Sequence, residues 1–152
     1  MKIFVDADSC PKVVRELVLR AAKRRQIEAV FAANRRISDI KGDYAVMEVC
    51  PRGDDAADDR IVELARQGDL AITRDIPLAA RLVERGIAVL DDRGRTYTSE
   101  NIGQQLSMRN FMMTLARNGL GIKRIAQYGK KELKTFADNF DRMVTISLKR
   151  IV

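Results

Sequence analysis

Short apolar runs alternate with segments of helical period along the first ninety residues. Ile3, Phe4 and Val5 form an apolar run that ends at Asp6, which predicts a strand over 2–6. Ser9-Cys10-Pro11 then opens a helix, with Ser9 or Cys10 where an N-cap stands and Pro11 in the first turn. Val13, Val14, Leu17, Val18 and Ala21 give that helix an apolar stripe as far as Arg25. Residues 27–33 and 44–49 predict the second and third strands, the latter closed by Cys50-Pro51 and a turn at Arg52-Gly53-Asp54. A helix follows over 55–67, with Ile61, Leu64 and Ala65 on one face and Gly68 as its stop. Residues 70–73 predict a strand, 76–85 a helix ended by Gly86, and 87–90 another short strand.

Five apolar strands separated by helices predict an α/β fold, a three-layer α/β/α sandwich with a mainly parallel sheet of about five strands. Residues 34–43 carry no clear period and read as a loop. Beyond Asp92 a helix is expected over 99–117, with Ile102, Leu106, Phe111, Met112 and Leu115 as its apolar positions. After the glycine-punctuated stretch Asn118-Gly119-Leu120-Gly121, an amphipathic helix is predicted over 130–151. Its Leu133, Phe136, Phe140, Met143, Val144 and Leu148 face the domain or a partner, and Lys130, Lys131 and Lys134 point outward. A chain of 152 residues is the size of one domain. The pattern divides it into an α/β domain over 1–118 and a basic helical extension over 119–152 packed on the same domain.

Charge sharpens that division. Residues 1–116 hold 19 Lys and Arg against 18 Asp and Glu, whereas residues 117–152 hold 9 against 3, so the tail carries almost all of the net +7. A polyanion such as RNA or DNA is the partner this excess suits, because clustered cations release counterions from phosphates. A basic surface kept for solubility accounts for the same composition. The start of the chain runs straight into Asp6 and Asp8, and no apolar run approaches the ~20 residues that span a bilayer, so a cytoplasmic protein without a membrane segment is expected. Cys10 and Cys50 lie too far apart for a CxxC site, and reduced thiols are the default. The chain has no histidine, which excludes Ser-His-Asp and Cys-His nucleophile pairs and His-ligated zinc.

Chemistry therefore falls to carboxylates, and a parallel sheet collects them at one edge. Asp6 and Asp8 follow the first predicted strand, Asp54, Asp55, Asp58 and Asp59 the third, Asp75 the fourth, and Asp91 and Asp92 the fifth. The carboxyl edge of such a sheet is where ligands bind. Crowded carboxylates raise each other's pKa unless a cation neutralises them, and an oxygen-only donor set suits Mg²⁺ or Mn²⁺. Asp6, Asp8, Asp55, Asp58 and Asp75 are the candidate metal ligands and catalytic acids. Asp55 and Asp58, three apart, share a helical face. Asp54 and Asp59 suit a first helical turn, where carboxylates complement the dipole, and Asp91 and Asp92 suit a turn before Arg93-Gly94. Ser9, Asn34, Thr73 and Arg74 are candidates for holding substrate, although a helix cap is the stronger reading of Ser9. Cys10 has no imidazole to activate it and reads as a small buried residue.

Four motifs carry a family resemblance: Asp6-Ala7-Asp8-Ser9-Cys10-Pro11, Gly53-Asp54-Asp55-Ala56-Ala57-Asp58 with Ile61, Thr73-Arg74-Asp75-Ile76-Pro77-Leu78-Ala79, and Tyr97-Thr98 before Asn101-Ile102. Together they resemble the YaiI/YqxD family of bacterial proteins over residues 1–118. Members of that family are similar to PIN-like domains, a nuclease superfamily with an α/β/α sandwich and an acidic Mg²⁺ or Mn²⁺ site. The resemblance implies one acid at the end of the first strand (Asp6, with Asp8 nearby), one on a central helix (Asp55 or Asp58), and a Thr-x-Asp after the fourth strand (Thr73 and Asp75). The basic extension then either prolongs a nucleic-acid groove or mediates a homodimer.

Three functions compete on these residues. The first is a metal-dependent nuclease, acting on RNA ahead of DNA, with the acids holding one or two ions and Arg35-Arg36 or the basic tail tracking phosphates. The second is a small-molecule phosphatase, since Asp6-Ala7-Asp8-Ser9 looks like the DxDx[ST] loop of haloacid-dehalogenase phosphatases and the Gly53 to Asp58 segment fits their GDxxxD motif. Order argues against it, because Thr73 comes after both elements instead of between them. The third is a non-catalytic module that binds nucleic acid or a protein partner mainly through charge.

Overall fold

A computed structural model describes residues 1–53, 55–121 and 127–151. Its sheet has six strands: β1 (Ile3–Asp6), β2 (Ala29–Ala33), β3 (Ala45–Val49), β4 (Leu70–Ile72), β5 (Ala88–Leu90) and β6 (Thr96–Tyr97), in the order β3-β2-β1-β4-β5-β6. The first five are parallel as the pattern predicts, and β6 pairs antiparallel with β5. That sixth strand escapes a periodicity reading because two residues after a five-residue hairpin turn show no alternation.

Alternation along the strands divides the core into two layers. Ile3 and Val5 of β1 point with Phe31 and Ile72 toward α1 (Lys12–Arg25) and α5 (Lys130–Ile151). Phe4, Val30 and Ala71 point the other way, toward α2 (Ala56–Leu64) and α3 (Ile76–Glu84). Phe136, Phe140 and Val144 of α5 are buried in the first layer, and Arg25 of α1 bonds Asp141 and Thr145 of α5. The basic extension is thus part of the sandwich, with Lys130, Lys131 and Lys134 exposed. α4 (Ile102–Arg117) lies along α3 with none of its residues buried, and Met108, Phe111 and Met112 stand in solvent. Its apolar positions therefore belong to the surface and not, apart from Ile102 beside the second layer, to the core.

Two element boundaries depart from expectation for local reasons. α1 begins at Lys12 with Pro11 as its N-cap residue, while Ala7–Ser9 form a single 3-10 turn in which neither Ser9 nor Cys10 caps the helix. α2 stops at Leu64, short of Gln67, because Ala65 turns to extended backbone and is fully buried. The Asp69 carboxylate then closes the next turn, accepting the backbone N–H of Arg66 and of Lys2 at 2.8 Å each. Gly68 sits in that turn at φ 96° instead of ending the helix. Residues 34–43 form a loop without strand or helix, pinned by the buried Ile40. Among the described residues, no helix is long and apolar enough to cross a membrane.

The order places a topological switch at β1 and β4. The chain builds outward from β1 through β2 and β3, then returns to add β4 and β5 on β1's other side. Loops leaving the carboxyl ends of β1 and β4 go to opposite faces and open a crevice between them, the position where open α/β sheets bind ligands.

Candidate functional site

Strand ends and helix starts supply the acids of that crevice. Asp6, the last residue of β1, is 7% exposed, and its Oδ2 accepts the hydroxyls of Ser9 at 3.2 Å and Thr73 at 2.9 Å. Thr73 is buried just beyond β4, and its Oγ1 in turn accepts the backbone N–H of Asp75 at 3.0 Å. Asp75 caps α3, with Oδ1 accepting the Leu78 N–H at 3.0 Å. This relay fixes the end of β1 against the start of α3. Asp8 is exposed in the 3-10 turn and accepts the backbone N–H of Asn34 at 2.8 Å, which ties the end of β2 to the same edge.

Asp55 and Asp58 come from the start of α2. Asp55 is the residue before that helix, at φ 69°, a left-handed conformation that costs an L-residue energy and recurs where function constrains the backbone. It lines, with Asp6, Asp8, Ser9, Asn34, Asp58, Arg74 and Asp75, a cavity of about 610 Å³. All five candidate acids thus face one space. Three of the four candidate substrate-holding residues line it too; Thr73 does not, its hydroxyl being engaged between Asp6 and Asp75.

Burial and like charge set the electrostatics. Burial pushes the Asp6 carboxyl up, against the two hydroxyl bonds that lower it, with Asp75 and Asp8 adding to the rise. Asp58 is raised to about 7, by burial first and then by Asp75, Asp6 and Asp55. A proton on Asp58 does there what a cation would do for a group of carboxylates. Arg74 is the one cation among the described lining residues, and its guanidinium pairs with Asp92.

The remaining acids have separate duties. Asp91 and Asp92 are buried; Asp91 Oδ1 accepts the backbone N–H groups of Arg93 at 2.9 Å and Arg95 at 2.8 Å, shaping the β5–β6 turn. Asp59 pairs with Arg81 on the surface. Asp54 lies outside the described residues. Burial pushes the Cys10 thiol up to about 12, which suits an inert core residue. Sequence reasoning did not single out Tyr128, whose hydroxyl donates to the Asp92 carbonyl oxygen at 2.6 Å. It lies outside every periodic segment, so no signal marked it.

The donor set, carboxylate oxygens without nitrogen or sulfur, matches the chemistry of a hard divalent cation. A closed cage is another matter: among the described residues, no three Asp, Glu, Cys or His side chains stand together at ligating spacing. The acids line the walls of the cavity.

A family profile described as "Uncharacterized BCR, YaiI/YqxD family" matches residues 4–146, most of the chain and much of α5. The chain belongs to the YaiI/YqxD family. Among similar proteins are a UPF0178 protein of Treponema denticola, 46% identical with 99% of this chain and 96% of the relative covered, and one of Myxococcus xanthus, 43% identical with 98% and 97% covered. A UPF0178 protein of Psychrobacter cryohalolentis is 43% identical, covering 95% of this chain and 99% of its own. No solved structure matches. The YaiI/YqxD match extends past residue 118, where the resemblance carried by the four motifs stops, so most of α5 lies within the family's shared length.

Proposed function

We propose that this YaiI/YqxD protein is a Mg²⁺- or Mn²⁺-dependent nuclease that hydrolyses phosphodiesters, RNA ahead of DNA, in the manner of PIN-like domains. The observation that carries this reading is the convergence of Asp6, Asp8, Asp55, Asp58 and Asp75 from separate chain segments on one cavity at the β1/β4 switch. Asp6, Asp8, Asp55, Asp58 and Asp75, on the walls of the cavity, are the residues that would hold one or two ions. A divalent ion there supplies Lewis-acid polarisation of a phosphate oxygen. The chain's own residues do the rest. Thr73 holds the Asp6 carboxylate in place, and Arg74 offers a guanidinium to a phosphate. Arg35 and Arg36, exposed just after Asn34, extend positive charge from the cavity along the route of a polyanion.

The absence of a preformed ligand cage among the described residues favours a second reading, a nucleic-acid-binding module without turnover. Calorimetric titration of Mn²⁺ into wild type and Asp6→Asn separates the two. Saturable binding in the wild type, lost in the variant and accompanied by thermal stabilisation of about 2.7 kcal/mol at a hundredfold excess over Kd, supports the nuclease. Cleavage of a single-stranded RNA that persists in Asp6→Asn overturns the mechanism. Salt-sensitive RNA binding without Mn²⁺ binding supports the second reading.

A further inference from the structure

We infer that Asp92 is a positioning residue that aims Arg74 into the acidic cavity as its phosphate-recognising group, and that Tyr128 steadies Asp92 from behind. The inference rests on the reading of the cavity as a phosphodiester site. Arg74 follows Thr73 and precedes Asp75, so it stands among carboxylates on which an unconstrained guanidinium would collapse. A guanidinium whose whole fork is taken up in that way has no donors left for a phosphate. Asp92 competes for it from outside the cavity lining: its side chain is 6% exposed and pairs with Arg74 Nη2, while the Arg74 side chain remains 50% exposed and lines the cavity.

The pair is asymmetric in a way that suits recognition. A buried carboxylate without a cationic partner is costly, so Asp92 keeps its hold on Arg74. The guanidinium has five N–H donors in a planar fork; Asp92 engages one arm, and the other groups remain to meet a planar pair of phosphate oxygens. Asp92 is itself anchored. Its carbonyl oxygen accepts the Tyr128 hydroxyl at 2.6 Å, the Arg93 guanidinium lies 5.6 Å from the Tyr128 ring centroid, and Asn139 of α5 donates to the Gly94 carbonyl oxygen at 2.7 Å. Gly94 lies so close to α5 that a Cβ there would meet the Thr135 carbonyl oxygen at 2.8 Å. The β5–β6 turn, and with it the aim of Arg74, is therefore fastened by the carboxyl-terminal part of the chain.

The sign of one substitution separates this role from simple electrostatics. Asp92→Asn removes a negative charge near the cavity, which by Coulomb's law alone strengthens anion binding. Loss of aim weakens it. The experiment titrates adenosine 5′-monophosphate into the Mn²⁺-loaded wild type, Arg74→Ala, Asp92→Asn, the double variant and Tyr128→Phe, with Mn²⁺ affinity measured separately for each. Arg74→Ala is expected to weaken nucleotide binding about thirtyfold and Asp92→Asn about tenfold, the range for losing one hydrogen bond to a charged group. Adding Asp92→Asn to Arg74→Ala is expected to cost nothing further, since both act through one group. Tyr128→Phe, the variant least disruptive to folding, is expected to cost about threefold. Unchanged or tighter nucleotide binding in Asp92→Asn, with Mn²⁺ binding intact, overturns the positioning role while leaving the nuclease reading standing. Failure of the wild type to bind Mn²⁺ overturns that reading and this inference with it.

Discussion

Two groups of aspartates stand on the same sheet edge and differ in what surrounds them. At the end of β5, Asp91 accepts two backbone N–H groups and Asp92 holds a guanidinium. At the β1/β4 switch, Asp6 has two neutral hydroxyls for partners among the described residues, and Asp58 is raised to about 7 with Asp75, Asp6 and Asp55 around it. Burial pushes Asp91 up as well, but two backbone bonds oppose it directly. Partner chemistry, more than residue type or depth, separates an acid that builds the fold from one left open to a ligand. The first group holds a turn and a guanidinium in place; the second is crowded by like charge that a proton or a cation would relieve.

The sharpest test removes the acid that belongs to the fold. Asp91→Ala leaves the Arg93 and Arg95 amides of the β5–β6 turn without their acceptor and frees the strand that closes the sheet. The expected loss is about 2–3 kcal/mol in urea-induced unfolding, the range for losing charge-assisted hydrogen bonds in a buried setting. A loss under about 1 kcal/mol would erase the distinction between the two groups.

Much of this contrast was legible in the sequence, and the limits have physical causes. Apolar runs of β-branched and small residues marked the five parallel strands, and strand connectivity alone put Asp6, Asp55, Asp58 and Asp75 at one edge, because parallel strands share their carboxyl end. Asp91-Asp92-Arg93-Gly94 also read correctly as a turn. Strand order was not legible, since it depends on long-range pairing, and so the switch at β1/β4 came only with the structure. Nor was the use of Thr73: period two placed its hydroxyl on the side of Asp75, but its donation to Asp6 spans 67 positions. The exposed face of α4 shows the reverse case, where helical spacing of Phe111, Met112 and Leu115 is present without a core to receive it.

Stability against pH reads the open group directly. Asp58 has its folded pKa raised from 3.8 to about 7, so between these values the folded state binds more protons than the unfolded one, and stability falls as pH rises across that window. Asp6 and Asp91, also pushed up by burial, add slope of the same sign. Asp58→Asn removes only its own share. The variant is expected to be more stable than wild type by about 1 kcal/mol at pH 8, discounted for the solvent this half-buried group retains, with the difference closing as pH falls toward 4. Urea midpoints at pH 4, 6 and 8 measure it. A variant less stable than wild type at pH 8 would put Asp58 with the acids that hold the fold together. Saturating Mn²⁺ reverses the order at pH 8 under the metal-site reading, because the ion then rewards the charged form that Asn lacks.

The smallest effect comes from an acid that shares the helix but neither environment. Asp59 follows Asp58 in α2 and pairs with Arg81 at 2.8 Å, with the two side chains 64% and 45% exposed. Such a pair lies in high dielectric, is screened by salt and orders two side chains to gain little. Asp59→Asn is expected to change stability by less than about 0.5 kcal/mol at every pH from 4 to 8 and to leave Mn²⁺ binding as it is. The neighbouring substitutions Asp58→Asn and Asp59→Asn form a matched pair, one residue apart on one helix and identical in chemistry. If both shift the pH profile alike, the effect belongs to the charge of α2 as a whole and its macrodipole. If only Asp58→Asn does, it belongs to the carboxylates that face the cavity.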